Sequence, residues 1–182
     1  MIKIKKVEDW LLTHEIDISY WGKNGTKTFK DLIQELKLEE CTLTTDSYRL
    51  VTFVSLAIFQ KAKVLIELEQ VLSDGSVRKR NKLPAEKVRQ GESIVNTAIR
   101  CLKEELGLNL SQYYIIKKKF IGESTSESKS YINLQTKYIQ HRVYIETDNL
   151  PINSFSTKDS SPFSDPIVEH RWEWKNLTQK NI

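Results

Sequence analysis

The sequence predicts a mixed α/β (α+β) domain with a short helical N-terminal extension, and three observations carry that prediction. Apolar, strand-like runs begin at Arg49 and recur as far as Trp174. One amphipathic helix with a cap at each end occupies residues 93 to about 106. Strands and helices do not alternate in the βαβ manner of a doubly wound sheet. The length of 182 residues suits one domain with an appendage. A chain of this size buries about 70% of its unfolded surface, so its stability requires no disulfides or metal.

Taken in chain order, Val7, Trp10 and Leu11 form a short helical turn. Thr28 is placed to cap a second helix whose Phe29, Leu32, Ile33 and Leu36 fall at i, i+3, i+4 and i+7. A polar turn, Trp21 to Thr26, separates the two. Residues 1–47 therefore read as an extension packing on a main domain of residues 48–182, because so short a piece buries too little to stand alone. Arg49 to Phe59 is the first long strand and Val64 to Leu72 the second. In the second, Val64, Ile66 and Leu68 are expected on one face, with Glu67 and Glu69 on the other. Asp74-Gly75 supplies a two-residue hairpin turn into a third strand, Val77 to Leu83. Beyond the 93–106 helix, Tyr113 to Phe120, Tyr138 to Glu146 and Val168 to Trp174 are strands. Gly122 to Ser130 and Thr147 to Pro166 are loops, the second long enough to serve as a lid.

Composition excludes more than it names. Hydrophobic residues at 39%, charged residues at 29%, six Phe, seven Tyr and four Trp describe a globular chain, not a disordered one. Cys41 and Cys101 cannot make a disulfide framework or a four-cysteine zinc site. The net charge of +4 permits anionic partners without demanding nucleic acid. No apolar stretch is long enough to span a bilayer, and charge at Glu8 and Asp9 interrupts any leader-like start. The expectation is a cytoplasmic protein of a reducing compartment.

Chemistry concentrates in one segment. Ile94, Ala98, Leu102 and Leu106 recur every four residues, Val95 and Ile99 widen their arc, Ser93 is an N-cap and Gly107 a left-handed stop. Glu105 falls on the margin of that buried arc, with Cys101 between Glu104 and Glu105. Adjacent carboxylates at the edge of a core suit a hard divalent cation. A solvated helix end with a weak Arg100–Glu104 pair is the plainer alternative.

The spacing of this segment resembles the Nudix box, G-x5-E-x7-R-E-U-x-E-E-x-G-U, with U aliphatic. Glu92, Arg100, Leu102, Glu104, Glu105, Gly107 and Leu108 fall on its positions, whereas Glu86 stands for the first glycine and Cys101 for the glutamate after the arginine. A match this good arises by chance in roughly one chain per thousand. The resemblance covers residues 83–108. It implies a Nudix-type sandwich, a mixed sheet between helices, and an Mg²⁺- or Mn²⁺-dependent pyrophosphohydrolase of a nucleoside diphosphate linked to another moiety. On that resemblance Glu104 and Glu105 are metal ligands and catalytic residues, Arg100 orients them, and Glu92 supports the loop–helix junction or an outer metal. Ala85 offers its carbonyl to the metal. Glu86 either supplies a compensating carboxylate or pairs with Lys82 or Lys87. A further acid is sought among Glu123, Glu127, Glu146 and Glu169.

Cys101 is a soft ligand poorly matched to Mg²⁺, which leaves a second reading open: a Nudix-fold protein without turnover, binding nucleotide or RNA or acting as a scaffold. Arg78, Arg80 and Lys82 run into the box loop and are the candidate substrate-binding residues, a nucleotide-like small molecule being the expected partner. Their bland alternative is a solvated hairpin strand. Lys117 to Lys119 read as a solvated strand end. His14, His141 and His170 show no ligand spacing and are expected to be structural, and Trp172 and Trp174 are expected in the core.

Overall fold

The computed structural model describes residues 4–23, 25–160 and 167–176. Along the chain run α1 (Ile4–Thr13), α2 (Phe29–Lys37), β1 (Thr42–Leu43), β2 (Arg49–Gln60), β3 (Lys63–Leu72), β4 (Val77–Lys82), β5 (Ala85–Lys87), α3 (Ile94–Leu106), β6 (Tyr114–Glu127), β7 (Gln135–Glu146), β8 (Phe155–Lys158) and β9 (Ile167–Asn176). The fold is α+β, built on a mixed sheet and three helices. No helix among the described residues is long and apolar enough to cross a membrane.

Two compact units divide the chain. The first holds residues 1–53, 87–92 and 122–140. Its core gathers Val7 and Leu11 of α1, Leu32, Ile33 and Leu36 of α2, Trp21, Cys41, Val51, Tyr131 and Leu134. The helix start at Thr28 follows from a reciprocal cap, in which Thr28 Oγ1 accepts the Asp31 N–H and Asp31 accepts the Thr28 N–H. Inside this unit Glu35 is buried among three cations, Lys27 at 2.7 Å, Lys87 at 2.9 Å and Arg49 in direct contact.

The second unit holds residues 54–86, 93–121 and 141–182. The sheet's strands are ordered β6-β7-β2-β3-β9-β8, and of these β3, β8 and β9 lie wholly in this unit. β2 and β4 share one edge of β3: β2 pairs with Val64 and Lys63, and β4 with Glu67 through Val71. The whole other edge of β3 pairs antiparallel with β9. Onto this sheet α3 lays Ala98, Cys101, Leu102 and Leu106, against Val54, Leu56, Ile58, Leu65, Val143, Ile145 and Trp172. Each fully buried Leu or Ile in that interface contributes about 1.5–3 kcal/mol relative to exposure.

Several sequence expectations are corrected by the structure. The face assignment of β3 fails: Glu67 is 1% exposed and Leu68 36%. The register with both β4 and β9 shifts between Glu67 and Glu69, so a bulge at Leu68 breaks the alternation that the pattern assumed. The segment 122–130 is not a loop, since β6 continues to Glu127, and β7 begins at Gln135. Polar side chains on an edge strand left no apolar alternation to read there. Thr147 to Pro166 likewise contains β8, while residues 161–166 lie outside those described. The turn after β3 is wider than two residues: Leu72 N–H donates to Ser76 O, with Gly75 at φ +83°. Trp172 is buried, as expected, and Trp174 packs partly against the same core.

Candidate metal and active site

The site is built on α3. Ser93 Oγ accepts the Asn96 N–H at 3.1 Å and starts the helix, and Gly107, at φ +68°, ends it in the left-handed region. The helix buries a row one step around from the apolar stripe that the periodicity marked. Thr97, Cys101 and Glu105, each four residues apart, are all buried. Two box positions, the substituted Cys101 and Glu105, are therefore stacked on the sheet side.

β8 fixes the C-terminal end of α3. Thr157 Oγ1–H donates to the Glu105 carbonyl, Ser160 donates to the Glu104 carbonyl through its N–H and its hydroxyl, and Trp172 Nε1–H donates to Thr157 Oγ1 at 2.7 Å. These are carbonyls that a helix end leaves without intrahelical partners. Their capture sets the depth of the two glutamates.

Glu105 meets two residues that the spacing did not single out. Glu67 of β3, Glu105 of α3 and His170 of β9 are buried, and each offers a ligand atom within 4.8 Å of the others'. Glu67 Oε1 lies 2.7 Å from His170 Nδ1, while Arg80 Nε donates to Glu67 Oε2 at 3.0 Å and Gln70 Nε2 donates to Oε1 at 2.6 Å. Asp159 Oδ2 lies 3.2 Å from the other ring nitrogen, His170 Nε2.

The electrostatics follow from this crowding. Burial, together with Glu67 and Glu86, pushes the Glu105 carboxyl up to about 8, against the pull of His170. Burial alone would lower His170, but hydrogen bonds to Asp159 and Glu67 and the charge of Glu105 lift it to about 10. Burial would raise Glu67, and its bonds to His170 and Arg80 overcome that and hold it below the ordinary carboxylate value. The Cys101 thiol, fully enclosed, is driven well above its usual value by burial and then by Glu105 and Glu86, so it stays neutral. The carboxyl groups of Glu67, Glu86, Glu104, Glu105 and Asp159 gather with Arg80, Arg100 and His170 around this end of α3.

The remaining sequence-named residues are distributed as follows. Arg100 Nη1 lies 3.2 Å from Glu86 and 3.6 Å from Glu104, so the loop carboxylate pairs with the helix arginine, not with Lys82 or Lys87. Lys87 instead contacts Glu35 and Glu40. Ala85 opens β5, directly after Pro84, whose carbonyl accepts the Leu56 N–H. Glu92 belongs to the first unit, where its Oε2 accepts the Arg89 N–H. Arg78 Nε donates to Gln70 and Arg80 to Glu67, while Lys82 is exposed at the end of β4. Of the four glutamates considered as an extra acid, Glu123 and Glu127 lie in the first unit, Glu146 is exposed at the end of β7, and Glu169 pairs with Arg171. The added carboxylate at Glu105 is Glu67. Its one sequence signal was an acid between apolar Ile66 and Leu68, a setting that Glu69 of the same strand nearly shares.

The chain matches no protein-family model and no curated protein. It is similar to solved structures of Nudix hydrolases. One is a NUDIX hydrolase from Nitrosomonas europaea, 19% identical over 68% of this chain and 71% of that one, with a TM-score of 0.41. Another is a C. elegans Ap4A hydrolase, 19% identical over 69% and 80%, TM-score 0.38. A third is a NUDIX-family hydrolase from Clostridium perfringens, 15% identical over 69% and 80%, TM-score 0.38. At such scores and identities these likenesses assign no activity or residue role to this chain.

Proposed function

We propose that this protein is a Nudix-type hydrolase of phosphoanhydride bonds, dependent on Mg²⁺ or Mn²⁺, acting on a nucleoside diphosphate linked to another moiety. The observation that carries the reading is the cluster of carboxyl groups on α3, where Glu86 and Glu104 flank Arg100 and buried Glu105 lies one residue further along the helix. A divalent cation would be held by Glu104 and Glu105, with the Ala85 carbonyl and Glu86 at its border. Such a cation neutralises a pyrophosphate and activates a water. Arg100, bridging Glu86 and Glu104, keeps loop and helix carboxylates at a fixed separation. Arg78, Arg80 and Lys82 bring positive charge along the strand that enters the loop, which suits a phosphate-bearing substrate.

The test is a panel of nucleoside diphosphate derivatives assayed for released phosphate or nucleotide with Mg²⁺ and with Mn²⁺. Absence of any product with either metal would remove this reading. A second reading, a Nudix-fold protein that binds nucleotide or RNA without turnover, is favoured by Cys101, which is wholly enclosed and neutral where the box has a glutamate. RNA binding would weaken by about 0.7 log units per log of salt for each phosphate neutralised on a single strand. Salt-independent binding would dismiss that version.

A further inference from the structure

We propose that Glu67, Glu105 and His170 form one site for a borderline divalent cation, Mn²⁺ or Zn²⁺ in preference to Mg²⁺, with His170 Nδ1 as a ligating atom. The site deepens the hydrolase reading by naming the metal class, and it draws only Glu105 from the box. Three observations converge on it. The donor set is mixed, two carboxylates and an imidazole, all buried and within 4.8 Å of one another. Glu105, only 9% exposed, turns its carboxyl to the other two donors inside the core. Each of the other two donors is already oriented from behind. Asp159 lies on His170 Nε2, the ring nitrogen turned away from Glu67, which is how a carboxylate commonly fixes a ligating histidine. Arg80 and Gln70 fix Glu67 in the same way.

The metal preference follows from the donors. Mg²⁺ dehydrates reluctantly and favours oxygen ligands, whereas imidazole suits later divalent ions. Glu67 supplies from β3 a carboxylate next to Glu105, and so makes up from the sheet for the one that Cys101 leaves out of the helix.

The test is Mn²⁺ binding to the full chain, followed by electron paramagnetic resonance, with pulsed detection of ¹⁴N coupling from a coordinated imidazole. The wild type is expected to bind Mn²⁺ with ¹⁴N coupling, and Mg²⁺ to displace that coupled ion only at concentrations at least about tenfold higher. His14→Gln and His141→Gln should keep that coupling and His170→Gln should lose it. Asp159→Asn, which leaves every proposed ligand in place, should weaken Mn²⁺ binding by about 10–100-fold. No Mn²⁺ binding, bound Mn²⁺ without ¹⁴N coupling, or Mg²⁺ competing at equal concentration would each overturn the proposal. Failures of the two readings differ. Mn²⁺ bound with ¹⁴N coupling but no turnover sinks the hydrolase and keeps the site. Turnover without ¹⁴N coupling sinks the site and keeps the hydrolase.

Discussion

Glu67 Oε1 stands 2.7 Å from Nδ1 of His170, a residue 103 positions later on the neighbouring strand. A regular β3 would not allow the whole arrangement. Gln70 is opposite His170 and Glu67 is opposite Trp172, yet three residues separate Glu67 from Gln70 while two separate their partners. The bulge at Leu68 absorbs the extra residue, so Leu65, Glu67 and Gln70 share the side on which Trp174, Trp172 and His170 alternate. An acid, an amide and an imidazole thereby reach the core face that α3 covers, where an unbroken strand would have turned Glu67 or Gln70 outward.

Thr157 links this sheet to α3 through one hydroxyl, which accepts from Trp172 Nε1 and donates to the Glu105 carbonyl. Thr157→Val keeps the shape and removes both bonds, leaving the indole N–H of a buried Trp172 without a partner. A loss of about 1–3 kcal/mol in stability is expected, measured by urea denaturation. Thr157→Ser, which retains the hydroxyl, should stay within about 1 kcal/mol of wild type. Equal behaviour of the two variants would show that the hydroxyl is not what holds the helix end.

In the first unit, Glu35 governs an acid-sensitive contribution. Burial would raise its pKa, but Lys87, Arg49 and Lys27 outweigh burial and hold it far below the ordinary 4.5. The folded group thus refuses a proton that the unfolded one accepts. Its stabilisation is complete above the unfolded value and declines as pH falls below about 4.5. Glu35→Gln leaves Arg49 buried without its counter-charge, so a loss of about 3–5 kcal/mol is expected at pH 7. The gap from wild type should narrow in denaturation curves taken at progressively lower pH under 4.5. A gap constant with pH would assign the effect to packing.

The sequence made α3 legible because its signals are local. Ser93, the four-residue apolar recurrence and Gly107 lie within one helix, and the observed bounds follow them. Thr28 and Asp31 worked likewise for α2. His170 and Glu67 were illegible for the opposite reason. Their meeting depends on pairing β3 with β9 and on one inserted residue, and no spacing within either strand records that. Glu105 was partly legible: the helical wheel put it at the core margin, and only the sheet shows that the margin is closed over by Glu67 and His170. The polar half of β6 beyond Phe120, and β8, gave no periodicity for a strand to be read from.

Glu105→Gln separates the stability and functional demands on that residue. The carboxyl is crowded by burial, Glu67 and Glu86, and a neutral amide of the same shape removes a charge that the fold accommodates poorly. The thermal midpoint of the metal-free protein is expected to be unchanged or higher. Turnover, and Mn²⁺ affinity with it, should fall by at least about 100-fold, since even a supporting partner of a ligand is worth 10–100-fold. A variant that is less stable yet fully active would contradict both halves of this expectation.

Restoring the box residue with Cys101→Glu tests how close residue 101 sits to the cation. Cys101 is fully buried, and Glu105, Glu86 and Glu67 all raise its thiol, so a new carboxylate there adds buried charge among other acids. In EDTA the variant is expected to lose about 3–5 kcal/mol or more, the scale of an uncompensated buried charge. A divalent cation that binds the folded state alone, at one hundred times its Kd, returns about 2.7 kcal/mol. Denaturation in saturating Mn²⁺ should therefore recover more stability in Cys101→Glu than in wild type, because the added ligand tightens binding. Cys101→Ser, adding no charge, should show no such excess recovery. If Mn²⁺ stabilises Cys101→Glu no more than it stabilises wild type, residue 101 lies outside the reach of the metal, and the carboxylate lost from the helix is not the one that Glu67 supplies.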